Sequence, residues 1–148
     1  MFDALTARNR QRVEINALFG AIHLARKESI LKRRVVSICP TVDFAQCGSR
    51  ADWSHGWLMF VNADRDSPPR VDAGEIIVKR HQVSENIELS VNRRAFTLRA
   101  TFLRATNGTF VVCDRGLRVT PKALVVSYTG RPRVADHTTR GELYSCAD

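Results

Sequence analysis

The sequence predicts an α+β domain: one long N-terminal helix followed by antiparallel β-strands. Three observations predict it. Residues 3–33 carry apolar side chains at three- and four-residue steps, with no proline among them. From residue 34 the apolar period changes from 3.6 to 2. The later runs are short, separated by turn residues, and contain no second helical stretch, which is the pattern of an antiparallel sheet system. A chain of 148 residues has the length of a single domain, 1–148, divided into a helix, 1–33, and a β-rich part, 34–148.

In the helix, Ala17, Leu18, Ala21, Leu24, Ala25 and Glu28 share one face, and Phe2, Leu5, Val13 and Ile22 extend the stripe. The first part, "ALTARNRQRVE", is more polar than the second. The expectation is that the N-terminal turns project into solvent while the C-terminal half packs, with His23 among the packing residues. "RVVSIC" and "GWLMFVN" read as strands, then "ADRDSPPRVDAG" as a loop, then "EIIVKRHQ" and "NIELSV" as strands. "RAFTLRATFLRATNGTFVVCD" reads as a hairpin region with its turn at Asn107-Gly108. "ALVVSYTGRPRVA" closes the set, and the polar tail "DHTTRGELYSCAD" reads as loop anchored by Cys146.

The chain has no run of 18 apolar residues to span a membrane, and Met1 leads into a polar, basic segment rather than a signal peptide. Either the protein is cytosolic or a targeting segment has been cut away. The four cysteines, Cys39, Cys47, Cys113 and Cys146, favour the second reading. They form no CxxC and have no histidine at zinc spacing, so two disulfides in an oxidising compartment fit them best. Three pairings are open. In one, Cys39–Cys47 closes a short loop and Cys113–Cys146 ties the C-terminus back.

The formal net charge is +8 and unevenly spread. Residues 1–34 carry eight Lys/Arg against three acids (+5), residues 35–90 five against eight (−3), and residues 91–148 ten against four (+6). Basic flanks around an acidic middle point to a polyanionic partner, nucleic acid or an anionic membrane surface. Gly130-Arg131-Pro132-Arg133 concentrates that signal. The proline biases Arg131 to an extended conformation, so Arg131 and Arg133 point the same way, about 6.6 Å apart. Two parallel guanidiniums can each hold a backbone phosphate. Arg140 and Lys122 come next as candidates, then Arg118, Arg93 and Arg94.

Other clusters read as structure. Trp53, Trp57 and Phe60 are expected to pack the helix against the sheet rather than stack on bases. Asp64, Asp66 and Asp72 lack the glycine of a calcium loop, with Pro69 at the sixth position, and read as a polar turn. No catalytic triad, carboxylate pair or phosphate-binding glycine loop stands out, so no enzyme, cofactor or metal is expected.

The sequence resembles the soluble domain of type IV pilin-like proteins of the GspH/FimT class. The resemblance rests on Ala25-Arg26-Lys27-Glu28-Ser29 running into Cys39-Pro40, on Trp53 to Asn62, and on Asp72 to Glu75. "NGTFVVCDRG", "ALVVSYTGRPRVA" and the last cysteine resemble the FimT branch. The resemblance implies a pilin-like fold and, for the Gly-Arg-x-Arg element, DNA binding during natural transformation. It further implies double-stranded DNA and other pilins as partners. It implies an inner-membrane anchor before assembly, and a place at the periplasmic face of the inner membrane or in the pilus of a Gram-negative bacterium. The family's hydrophobic N-terminal segment and cleavage site are absent, which is read as truncation. A minor pilin or type II secretion pseudopilin that touches only other pilins is the alternative.

Overall fold

The computed structural model describes residues 2–99 and 104–146, without the Phe2 side chain. A 30-residue helix, α1 (Phe2–Leu31), leads into eight strands. These are β1 (Val36–Pro40), β2 (Gly56–Val61), β3 (Ile77–Gln82), β4 (Ile87–Val91), β5 (Phe96–Leu98), β6 (Gly108–Asp114), β7 (Lys122–Val126) and β8 (Pro132–Ala135). They form two antiparallel four-stranded sheets, ordered β3-β2-β1-β5 and β4-β6-β7-β8. This is the pilin-like α+β fold that the resemblance implies.

One core joins the helix to the inner faces of both sheets. It contains Leu18, Ile22 and Ala25 of α1, Val36 and Ile38 of β1, Phe96 and Leu98 of β5, Phe110 of β6, and Leu124 and Val126 of β7. Trp53 and Trp57 are fully buried in it. Trp53 packs edge-on against Phe110, with centroids 5.2 Å apart, and donates its indole N–H to the Arg93 carbonyl at 3.1 Å. Phe60 departs from expectation. It faces the opposite side of the first sheet, with Cys39 and Leu58, because strand alternation sends it away from the helix.

The helix also corrects the sequence reading. Its N-terminal half packs rather than projecting: Ala7, Gln11, Glu14 and Ile15 are buried. Leu5 and Val13 are 57% and 58% exposed. Polar residues occupy the buried stripe because each finds partners far along the chain. Gln11 donates to the carbonyls of Val112 (3.0 Å) and Thr120 (2.9 Å). Glu14 bonds His81 Nε2 at 2.7 Å and accepts the Ser84 N–H at 3.2 Å. His23, expected to pack, is exposed and stacks on Phe19.

The expected hairpin at Asn107-Gly108 is absent. β5 pairs with β1 in the first sheet and β6 with β4 in the second, so the two strands belong to different sheets. Residues 100–103 of that stretch lie outside the described residues. Gly108 serves close packing, since a Cβ there would meet Arg93 Cγ at 2.7 Å and Phe96 Cζ at 2.9 Å. Disulfides join Cys39 to Cys47 and Cys113 to Cys146, pinning the outer faces of the two sheets.

Candidate nucleic-acid interface

"ALVVSYTGRPRVA" is a hairpin rather than one strand. β7 and β8 pair from Ala123↔Ala135 to Val126↔Pro132. The turn is closed by the Gly130 N–H donating to the Ser127 carbonyl (2.9 Å) and the Ser127 N–H donating to the Arg131 carbonyl (3.1 Å). Gly130 has φ +76°, a conformation that a side chain strains. A Cβ there would lie 2.7 Å from Leu98 Cδ1. Arg26 of α1 donates from Nε to the Thr129 carbonyl at 2.9 Å, tying the turn to the helix.

β8 is the edge of the second sheet, where Pro132 disturbs no ladder. Pro132 and Val134 lie opposite Val126 and Leu124, on the helix side. Alternation therefore puts Arg133 on the outer face, while Arg131 closes the turn just before β8, its N–H donating to Ser127 Oγ at 3.3 Å. Both are exposed. Among the described residues, neither has a carboxylate within 4.0 Å.

The remaining candidate cations are dispersed. Arg93 lies at the same end of the second sheet but two strands away, beyond β6 and β7. It donates from Nε to the Asn107 carbonyl (2.8 Å) and from Nη1 to the Asn92 carbonyl. Arg94 is exposed and lines a cleft of about 370 Å³ with Arg65, Arg99 and Asp66. Arg118 and Lys122 stand at the opposite end, about 13 Å along the strand from Val126. Lys122 lines a groove of about 230 Å³ with Arg8, Gln11, Arg12 and Val134. Arg140 occupies the exposed turn after β8, closed by the Gly141 N–H on the Thr138 carbonyl.

Arg118 is held by Asp114, whose side chain is fully buried. Asp114 accepts the Arg118 N–H at 2.8 Å and Nε at 3.1 Å. Burial pushes the Asp114 carboxyl up, but the Arg118 backbone N–H and guanidinium outweigh it and hold the carboxyl below its ordinary range.

The acidic middle converges as well. Carboxylate oxygens of Asp64, Asp66 and Asp72 lie within 4.8 Å of one another. Glu75 clips that loop by accepting the N–H groups of Ala63 (2.6 Å) and Asp72 (2.8 Å). Asp72 is pushed up to about 6, first by its hydrogen bond with the Asp64 carboxyl, then by burial and the neighbouring negative charges.

The sequence matches the family described as type II transport protein GspH over residues 14–130, most of the chain. The chain belongs to the GspH family. Among curated proteins none matches it. Its fold is similar to that of the type IV minor pilin FimU of Pseudomonas aeruginosa strain PAO1. That match has a TM-score of 0.62 and 20% identity, and covers 88% of this chain and 91% of that one. It is also similar to the minor pseudopilin EpsH of the Vibrio cholerae type 2 secretion system. There the TM-score is 0.60 at 11% identity, covering 84% and 95% of the two chains. At these identities the likeness is one of fold.

In this GspH-family chain the motifs behind the resemblance do structural work. Arg26 anchors the arginine-bearing turn, and Glu28 is bridged by Arg34 at 2.7 Å and Lys32 at 3.3 Å. Sequence reasoning passed over Arg26, and also Arg104 and Tyr128 beside the same turn. The sequence reading runs through Ser127–Gly130 as one segment, and the contact of that turn with residues 104–105 arises where the two sheets pack.

Proposed function

We propose that this GspH-family protein is a minor pilin of the FimT branch that binds double-stranded DNA without sequence preference, contributing to DNA uptake in natural transformation. The observation that carries the reading is the pair Arg131 and Arg133. Both are exposed, Arg133 on the edge strand β8 and Arg131 at the close of the glycine turn just before it, and neither has a carboxylate partner within 4.0 Å among the described residues. Arginines without partners keep their guanidinium forks free for phosphate oxygens. Such contacts position DNA and read no bases, so the expected Kd is about 10⁻⁴ to 10⁻⁶ M and rises with salt.

The pilin part of the reading is supported by the family and by the folds of FimU, a type IV minor pilin, and EpsH, a minor pseudopilin. It brings other pilins as partners, an inner-membrane anchor before assembly, and a place at the periplasmic face or in the pilus. Several subunits acting together make weak individual contacts sufficient.

The test is fluorescence anisotropy of labelled duplex DNA with wild type and Arg131→Gln/Arg133→Gln, with circular dichroism to verify folding. Each phosphate contact multiplies affinity about eightfold at 0.1 M salt, so the double variant should bind about sixtyfold more weakly. Absence of binding by the wild type would hand the role to a pilin that touches only other pilins.

A further inference from the structure

We infer that the DNA-binding surface extends beyond Arg131 and Arg133 to Arg104, held ready by stacking on Tyr128. This rests on the DNA-binding reading above and adds residues from a second segment of the chain.

The Arg104 guanidinium carbon lies 5.0 Å from the centroid of the Tyr128 ring. Both residues are exposed, Tyr128 by 53%. Tyr128 sits in the turn that ends at Arg131, so the stacked pair adjoins the arginine motif. The two segments are locked together. The Ala105 N–H donates to the Tyr128 carbonyl at 2.9 Å, and the Cβ position of Gly130 lies 3.5 Å from Ala105 Cβ and 3.5 Å from Arg26 Cδ. Arg26 of α1 and Arg104 of the β5–β6 connection thus meet at the turn that carries Arg131.

The stacking matters chemically. An aromatic face attracts a guanidinium through the ring quadrupole and occupies only its π surface. All five N–H donors stay at the edge, where a phosphate approaches in the guanidinium plane. Among the described residues Arg104 has no carboxylate within 4.0 Å, so its charge is not neutralised as that of Arg118 is. Fixing the fork before binding lowers the ordering cost of the contact. An exposed tyrosine at the tip of a turn, with little hydrophobic burial to gain, has a role as this platform.

The experiment measures duplex-DNA anisotropy across salt for wild type, Arg104→Gln, Tyr128→Leu, Tyr128→Phe and Arg131→Gln/Arg133→Gln. Arg104→Gln should bind about eightfold more weakly at 0.1 M salt, with the slope of log K against log salt smaller by about 0.9. Tyr128→Leu should weaken binding about two- to fivefold, while Tyr128→Phe, which keeps the ring, should match wild type. If Arg104→Gln or Tyr128→Leu binds like wild type while Arg131→Gln/Arg133→Gln fails, this inference falls and the broader reading stands. If wild type itself does not bind, or the Arg131/Arg133 variant binds equally well, the broader reading falls and this inference with it.

Discussion

The two ends of the second sheet carry arginines of opposite kinds. At the β6–β7 end, Arg118 is clamped by the buried Asp114 carboxylate, and Lys122 is half-buried beside the helix. At the β7–β8 turn, Arg131 and Arg133 have no acidic partner among the described residues, and Arg104 rests on an aromatic ring. The sequence shows the same residue type in both places. Its partner decides the role: a buried carboxylate makes arginine part of the scaffold, and its absence leaves the charge for a ligand.

The largest expected stability effect lies at the clamped end. Asp114→Ala removes the acceptor for the Arg118 N–H and Nε and should cost about 3 kcal/mol in denaturant unfolding, leaving DNA affinity nearly unchanged. The pH dependence has a definite sign. Because the folded carboxyl lies below its ordinary value near 3.8, its contribution is present above that value and is lost as pH falls through the lower folded one. Asp114→Asn should lack this part of the acid-induced loss. A variant that unfolds like wild type would remove the distinction between the two ends.

Gly130→Ala comes next. It places a side chain at φ +76° against Leu98 and should cost about 2 kcal/mol while displacing the arginine-bearing turn. DNA affinity should fall although no charge is removed, which separates positioning from charge. Asp72 gives the smallest effect and repeats the contrast among carboxylates. Its folded value is raised to about 6, so the associated stability is complete below its ordinary value near 3.8 and is lost as pH rises through about 6. Asp72→Asn should therefore raise Tm at pH 8 but not at pH 4, read by thermal melts at the two pH values.

The period change at residue 34 made the helix and most strands legible, since each strand displays its own alternation. What escaped was set by distant partners. Gln11 and Glu14 read as solvent-facing because nothing nearby in sequence shows the Val112 carbonyl or His81. Asn107-Gly108 carries the local signal of a turn, yet sheet pairing and the crowding around Gly108 override it. In the candidate site, Arg131 and Arg133 stood out as a local pattern. Arg118 stood among the lower-ranked candidates, and only the buried Asp114 carboxylate shows it to be part of the scaffold, while Arg104 carries no local signal and gains its place over Tyr128 from packing.

The central claim is that location rather than total charge governs DNA binding. The direct measurement compares duplex-DNA affinity of Arg131→Gln/Arg133→Gln with that of Arg12→Gln/Lys122→Gln, which removes the same two charges beside the far groove. The account expects about sixtyfold weakening at 0.1 M salt for the first and less than about threefold for the second. Equal weakening in the two variants would contradict it, and binding would then follow net charge alone.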